Sequence, residues 1–305
     1  MNVGANVGTN VGTPVDAASR EEALTFGCEG QTLVGIVHHA APTTTTAASS
    51  HAARTGVVVI VGGPQYRAGS HRQFVNLARA LAAAGHAVFR FDVRGMGDGT
   101  GGLRDFEHIG PDVAAAIDEL QRRAPGVQRV VLWGLCDGAS AALLYLHDHP
   151  DARVAGICML NPWVRSEASL ARTHVKHYYL QRLLQATFWR KLLSGRIAGD
   201  AVRALWRNLR LAQQAPAAGP AAPFQSRMAK TWDNFEGSLL LVLSGDDYTA
   251  REFTEFTQAD PQWRQALARR SAQRHELVSA DHTLSAAEDQ QAMNAITLRW
   301  LAALS

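Results

Sequence analysis

The sequence predicts an α/β fold: a mostly parallel, doubly wound sheet with an antiparallel hairpin at its N-terminal end and a helical segment inserted part-way along. Three observations lead there. Short apolar, β-branched runs recur at residues 56–61, 87–92, 130–133, 154–160 and 239–244, and each stops at glycine or another turn residue. Stretches with apolar residues at helical spacing separate most of these runs, the alternation that builds a parallel sheet with helices on both faces. One strand, Val130-Val131-Leu132-Trp133, breaks sharply at Gly134-Leu135-Cys136-Asp137-Gly138 and turns at once into a small-residue helix.

Taken in order, residues 1–19 hold an Asn-Val-Gly repeat with nothing large to bury, and read as a disordered tail. Residues 23–26 and 33–37 flank Glu29-Gly30 and form the hairpin. A Thr/Ala/Ser-rich surface loop follows over residues 42–54. The run from Gly56 to Val61 is apolar throughout, as a strand covered on both faces must be, and it ends at Gly62-Gly63-Pro64-Gln65. Phe74, Leu77, Ala78, Leu81 and Ala82 lie on one helical stripe closed by Gly85. A strand over residues 87–92 and a helix carrying Val113, Ala116, Ile117 and Leu120 complete the next unit.

Gly97-Asp98-Gly99-Thr100-Gly101-Gly102 fits the letters of a dinucleotide-binding fingerprint. No strand ends directly before it and no helix opens on it, so a glycine-rich loop is the better reading and no nicotinamide cofactor is expected. Beyond the elbow helix comes a strand over residues 154–160, whose Cys158 reads as core, stopped by Asn161-Pro162. Residues 163–235 change character: long, helix-favouring and basic to about residue 210, then a Gln/Ala/Pro/Gly-rich linker over residues 213–223. The expected division is therefore a tail (1–19), a core (20–162 and 236–305) and an inserted helical cap with its linker (163–235). Within the second core part, residues 239–244 form a strand ending at Gly245-Asp246-Asp247, residues 275–278 a last strand before Asp281-His282, and Met293, Ile296, Trp300 and Leu301 a closing helix.

The chemistry centres on Cys136. Gly-x-Cys-x-Gly between strand and helix is the cysteine form of the nucleophile elbow of α/β-hydrolases, in which flanking glycines let strand and helix pass close beneath a strained central residue. The helix N-terminus is expected to favour thiolate over thiol. A cysteine in an apolar run is more often buried filling. What separates Cys136 from that case is a pair of partners after later strands, in the order nucleophile, acid, histidine. Carboxyl ends of strands in an open parallel sheet collect reactive groups. His282 would move the thiol proton, and a carboxylate would fix its tautomer; Asp247 is the first choice and Asp246 the alternative. Oxyanion donors would be the backbone N–H of Asp137 and one from the loop at residues 62–65. Pro64 has no N–H, which leaves Gln65, or else Gly63.

Composition narrows the class. A net charge of +3 over 305 residues points away from nucleic acid. Three cysteines without metal-type spacing imply neither a disulfide framework nor a metal site and fit a reducing compartment, so a cytoplasmic location is expected. No apolar run approaches the ~20 residues of a membrane span, and the N-terminus lacks a secretory pattern.

Several stretches together closely resemble the exosortase A system-associated hydrolases of the first type: residues 61–67 and 69–74, Phe91-Asp92-Val93-Arg94-Gly95-Met96-Gly97-Asp98, Trp133-Gly134-Leu135-Cys136-Asp137, residues 160–165 and Ala280-Asp281-His282-Thr283. The resemblance extends from about Leu24 onward. It implies an α/β-hydrolase of the kind found in Gram-negative bacteria beside exopolysaccharide and protein-sorting loci, and it does not supply a substrate. The cysteine is similar in chemistry to that of dienelactone hydrolases.

Ten lysines and arginines lie between residues 165 and 210, against Glu167 and Asp200. Such a face is either solvated surface or an attractor for an anionic, carrier-linked acyl substrate. Peripheral contact with anionic lipid, aided by Trp189 and Trp206, is a third reading. Trp163, Arg165 and Tyr178 are the expected pocket residues, with Tyr179 and Phe188 beside them. The function expected is hydrolysis of an ester or thioester through an acyl-cysteine. The alternatives are an acyltransferase with the same three residues, or a non-catalytic partner of export machinery.

Overall fold

In the computed structural model, residues 20–42, 54–63, 65–165 and 222–304 are described. The hairpin pairs β1 (Glu21–Cys28) with β2 (Gln31–His38), and its two-residue turn has Glu29 and Gly30 both at positive φ, as a tight hairpin requires. Then follow β3 (Thr55–Ile60), a 3-10 turn (Ser70–Arg72) running into α1 (Gln73–Ala83), β4 (Val88–Phe91), α2 (Gly110–Arg123), β5 (Arg129–Leu135), α3 (Asp137–Asp148) and β6 (Val154–Leu160). After the undescribed segment come α4 (Phe224–Asn234), β7 (Ser238–Asp246), α5 (Tyr248–Ala259), α6 (Pro261–Arg269), β8 (Gln273–Asp281) and α7 (Ala287–Ala302).

These strands form one sheet in the order β1-β2-β4-β3-β5-β6-β7-β8. Only β2 runs against both of its neighbours; every pair from β4 to β8 is parallel. Side-chain alternation assigns the two faces. Val58, Ile60, Val130 and Leu132 point into a core covered by α2, α3 and α4, whereas Val57, Val59, Val131 and Trp133 point into one covered by α1 and α7. On the second face Trp133 meets Phe74 edge-on at 5.9 Å, and Met293, Ile296 and Trp300 close the layer. Cys158 is fully buried in the same core, the filling role its sequence context suggests.

The helix α4 lies within the segment that the sequence assigns to the insertion, yet it belongs to the core. Met228, Ala229 and Trp232 are buried in the first cluster, and Trp232 packs edge-on to Trp263 of α6 at 5.6 Å. Composition could not place that boundary, because the partners of α4 are distant in sequence and lie in α3 and α6. The glycine-rich loop at residues 97–102 opens no helix. Gly97 is at positive φ, a Cβ there would lie 2.3 Å from the Asp92 carboxylate, and Asp92 accepts the Asp98 N–H.

Candidate active site

The parallel strands deliver three residues to one edge of the sheet, each at a carboxyl end: Cys136 after β5, Asp247 after β7 and His282 after β8. Cys136 has φ 60 and ψ −124, positive φ in a residue with a side chain, a conformation costing on the order of 1–3 kcal/mol that its surroundings must hold. They hold it through the backbone. Cys136 N–H donates to Leu160 O at 2.9 Å, and Cys136 O accepts from Ala139, Ser140 and Trp163 N–H. Close approach makes the glycines necessary: a Cβ on Gly134 would sit 2.5 Å from Ala139 N, and one on Gly138 2.4 Å from Ile60 O.

The strand ends beside the elbow are tied together by Asn161, which is fully buried at positive φ. Its side-chain amide donates to Ser244 Oγ at 3.0 Å and its Oδ1 accepts Ser244 N–H at 2.8 Å, bridging the ends of β6 and β7. Asn161→Ala strands a buried N–H and places a residue without a compensating side chain in the left-handed region. The expected loss is about 2–4 kcal/mol, read as a fall in the urea midpoint at unchanged m-value.

His282 Nδ1 is hydrogen-bonded to Asp247 Oδ2 at 2.8 Å. Asp247 is itself buried and accepts Thr249 N–H at 3.0 Å and Ala250 N–H at 3.3 Å, capping α5. Its neighbour Asp246 points away: its side chain is 83% exposed, and its ion pair is with Arg251 at 3.8 Å. The turn carrying His282 is secured by Asp281, which accepts from Thr283 N–H and Ser285 N–H. Burial acts to raise the Asp281 carboxyl, but donation from Ser285 and Thr283 outweighs it and holds the group below the usual carboxylate range.

The electrostatics at the sulfur differ from the sequence expectation. The thiol is pushed up to about 12, first by burial and then by the negative charge of Asp137, with Asp247 adding to it; the Asp137 backbone N–H and Arg165 pull the other way and lose. The helix N-terminus therefore does not leave a resting thiolate. A base is needed.

The loop after β3 also corrects an expectation. Gln65 is not a free backbone donor, because its N–H donates to Gly63 O at 2.8 Å, while its side-chain Oε1 accepts Ser70 N–H at 3.2 Å. Gly63 N–H is engaged as well, donating to Asp137 Oδ1. That contact crosses 74 residues of chain and was invisible from the local sequence. Of the expected pocket residues, Arg165 lies over the Trp163 ring at 4.9 Å and holds Glu252 through Nε at 3.0 Å, so its guanidinium already has a carboxylate partner. Tyr178, Tyr179, Phe188, Trp189, Trp206 and the basic residues from Arg172 to Arg210 lie outside the described residues. Among the described residues no group of three or more His, Cys, Asp and Glu is placed to hold a metal ion. A cavity of about 690 Å³ lined by Leu146, Lys230 and Phe235 opens at the opposite end of the sheet, beside the start of β6 and away from Cys136.

Residues 52–277, most of the chain, match the family model described as serine aminopeptidase, S33. The chain belongs to that family. It is an α/β-hydrolase enzyme, and in this chain the turn between β5 and α3 carries Cys136. Solved structures repeat the fold at low identity. The Pyrococcus furiosus esterase Pf2001 superposes with a TM-score of 0.59 at 15% identity, covering 99% of this chain and 95% of that one. Mouse alpha/beta hydrolase domain-containing protein 10 gives 0.54 at 13% identity over 93% and 100%. A Coxiella burnetii alpha-beta serine hydrolase homologue gives 0.53 at 13% over 92% and 97%. No curated protein sequence matches the chain significantly.

Proposed function

We propose that this hydrolase cleaves an acyl ester or thioester through a covalent acyl-cysteine on Cys136, with His282 as general base and acid and Asp247 as the group that orients it. The observation that carries this reading is the 2.8 Å bond between His282 Nδ1 and Asp247 Oδ2, made at the sheet edge where the strained elbow presents Cys136. With Nδ1 bonded to the carboxylate, the imidazole is held with Nε2 available as a base. Charge coupling supports one shared site: Asp247 raises the Cys136 thiol, and His282 lowers the Asp137 carboxyl.

In the first half-reaction His282 removes the thiol proton as sulfur attacks the acyl carbon. The carbonyl electron pair moves to oxygen, the bond to the leaving sulfur or oxygen breaks, and His282 returns the proton to the leaving group. In the second, His282 deprotonates a water that attacks the acyl-cysteine, releasing the acid and restoring the thiol. A thioester suits a thiol nucleophile, since exchange of one thioester for another is nearly balanced in energy. One oxyanion donor is the Asp137 backbone N–H, directly after the nucleophile. An alcohol in place of water would make the same site an acyltransferase.

The substrate is a small or carrier-linked acyl compound, and an anionic one would compete with Glu252 for Arg165. The resemblance to exosortase A system-associated hydrolases supports a role beside exopolysaccharide or surface-protein sorting. All three cysteines are free thiols, which supports a reducing, cytoplasmic setting, and among the described residues no helix is long and apolar enough to cross a membrane. The test is mass spectrometry of the intact protein during turnover of acyl thioesters and p-nitrophenyl esters. An acyl adduct on the Cys136 peptide, missing in His282→Ala, is expected; steady turnover with no adduct on that cysteine would replace this mechanism by another.

A further inference from the structure

The sheet ends on two outer strands, and β8 is the more open of them. It closes the strand order, so among the described residues no strand pairs with the outer side of its nine-residue backbone. An open edge of that length carries a row of N–H and C=O groups able to bond a further strand. Val278, on this strand, is 83% exposed, and a hollow of about 320 Å³ opens beside it toward Ala250 and Thr254 of α5.

Charges often protect such an edge, but here their order is self-complementary. Side chains two apart share a face, so Arg274 and Glu276 stand side by side. Arg274 Nη2 donates to Glu276 Oε1 at 2.7 Å, and the two side chains are 49% and 61% exposed. A second β8, laid antiparallel about a two-fold axis at His275, sets Arg274 of each copy opposite Glu276 of the other. The four groups then alternate in sign, and each carboxylate keeps its own arginine while gaining a second. The same axis lays Val278 of each copy beside Ala272 of the other and covers the exposed apolar side chain. Moving the axis to Glu276 would set that carboxylate opposite itself, and moving it to Arg274 would do the same to the guanidinium, so the charges select one register. The other outer strand, β1, has no such pattern: its charges, Glu21 and Glu22, are both acidic, and Arg79 and Arg123 of the same chain hold them.

We propose that two copies of this chain dimerise through β8, antiparallel and with Arg274 opposite Glu276, joining two eight-stranded sheets into one continuous sheet. The contact is isologous, each copy presenting the same surface to the other. It leaves the candidate site whole in each copy, because the paired residues 272–278 precede Asp281 and His282 in the strand and the turn after it.

The test is sedimentation velocity of the full chain over a range of concentrations at low salt, for wild type, Arg274→Glu, Glu276→Arg and the double reversal. Wild type should run as a concentration-dependent dimer. Each single reversal sets like charges opposite one another, twice by symmetry, and should weaken dimerisation about 10-fold or more. The double reversal should restore it. An equimolar mixture of the two single variants should form a heterodimer, since one copy then offers two carboxylates and the other two guanidinium groups. All variants should melt near wild type and keep its ester turnover, because the altered side chains are exposed and lie outside the site. A wild type that is monomeric at every concentration overturns the proposal and leaves the β8 edge to an extended segment of another protein. Dimers indifferent to all the reversals, or single variants that fail to pair when mixed, overturn it as well.

Discussion

Cys136→Ala is expected to reduce turnover of acyl thioesters and esters by on the order of 10⁴-fold or more, the scale seen when a nucleophile acting as part of a unit is removed. Its acyl adduct should vanish while the melting temperature stays near wild type. The side chain is small and its conformation is imposed by backbone bonds to Leu160 and Trp163, so alanine occupies the elbow without opening a large cavity. The same variant separates two kinds of thiol. With the group pushed up to about 12, the sulfur is protonated at neutral pH and alkylation by iodoacetamide should be slow, rising steeply towards alkaline pH. Catalysis then depends on proton removal by His282, and His282→Ala should lose the adduct as completely as Cys136→Ala. Cys136→Ser should retain measurable ester turnover, because a hydroxyl needs the same base and fits the same strained turn. Rapid alkylation at pH 7 would contradict a thiol held protonated by burial and neighbouring carboxylates.

Asp247→Asn is expected to lower kcat by about 10⁴-fold with little change in KM, the consequence of presenting the wrong tautomer of an oriented histidine. The substitution isolates chemistry from folding. Asp247 also caps α5 by accepting Thr249 and Ala250 N–H, and asparagine caps a helix about as well as aspartate, so stability should change little. Asp246→Asn provides the comparison. That residue reaches solvent and a distant Arg251, and its replacement should leave turnover at the wild-type level. Equal losses from both substitutions would mean that the charge near the sheet edge matters and the bond to His282 does not.

The sequence carried the fold in features that act locally. Buried parallel strands must be apolar on both faces, so the runs ending at Val61, Trp133, Leu160 and Ser244 were legible, and the turn at Glu29-Gly30 announced the hairpin. The elbow was legible because strand, strained residue and helix are consecutive, and a Cβ on Gly134 or Gly138 meets backbone belonging to the same motif or to the adjoining strand. The place of α4 in the core was not, because it shows only in contacts far apart in sequence, with Trp263 of α6, Phe106 and the elbow helix.

For the candidate site, the sequence by itself determined which residue types stand at the ends of β5, β7 and β8 and in what order, since these follow from strand endings. Tertiary structure alone decided which of two adjacent aspartates reaches His282, because one residue of turn sends Asp246 to solvent and Asp247 into the cap of α5. It also set the surroundings of the Cys136 thiol and the hydrogen bonds of the neighbouring loop. A hydrogen bond from Gly63 to Asp137 spans 74 residues, and burial of a thiol between carboxylates depends on packing from several strands; neither has a local signature in the chain.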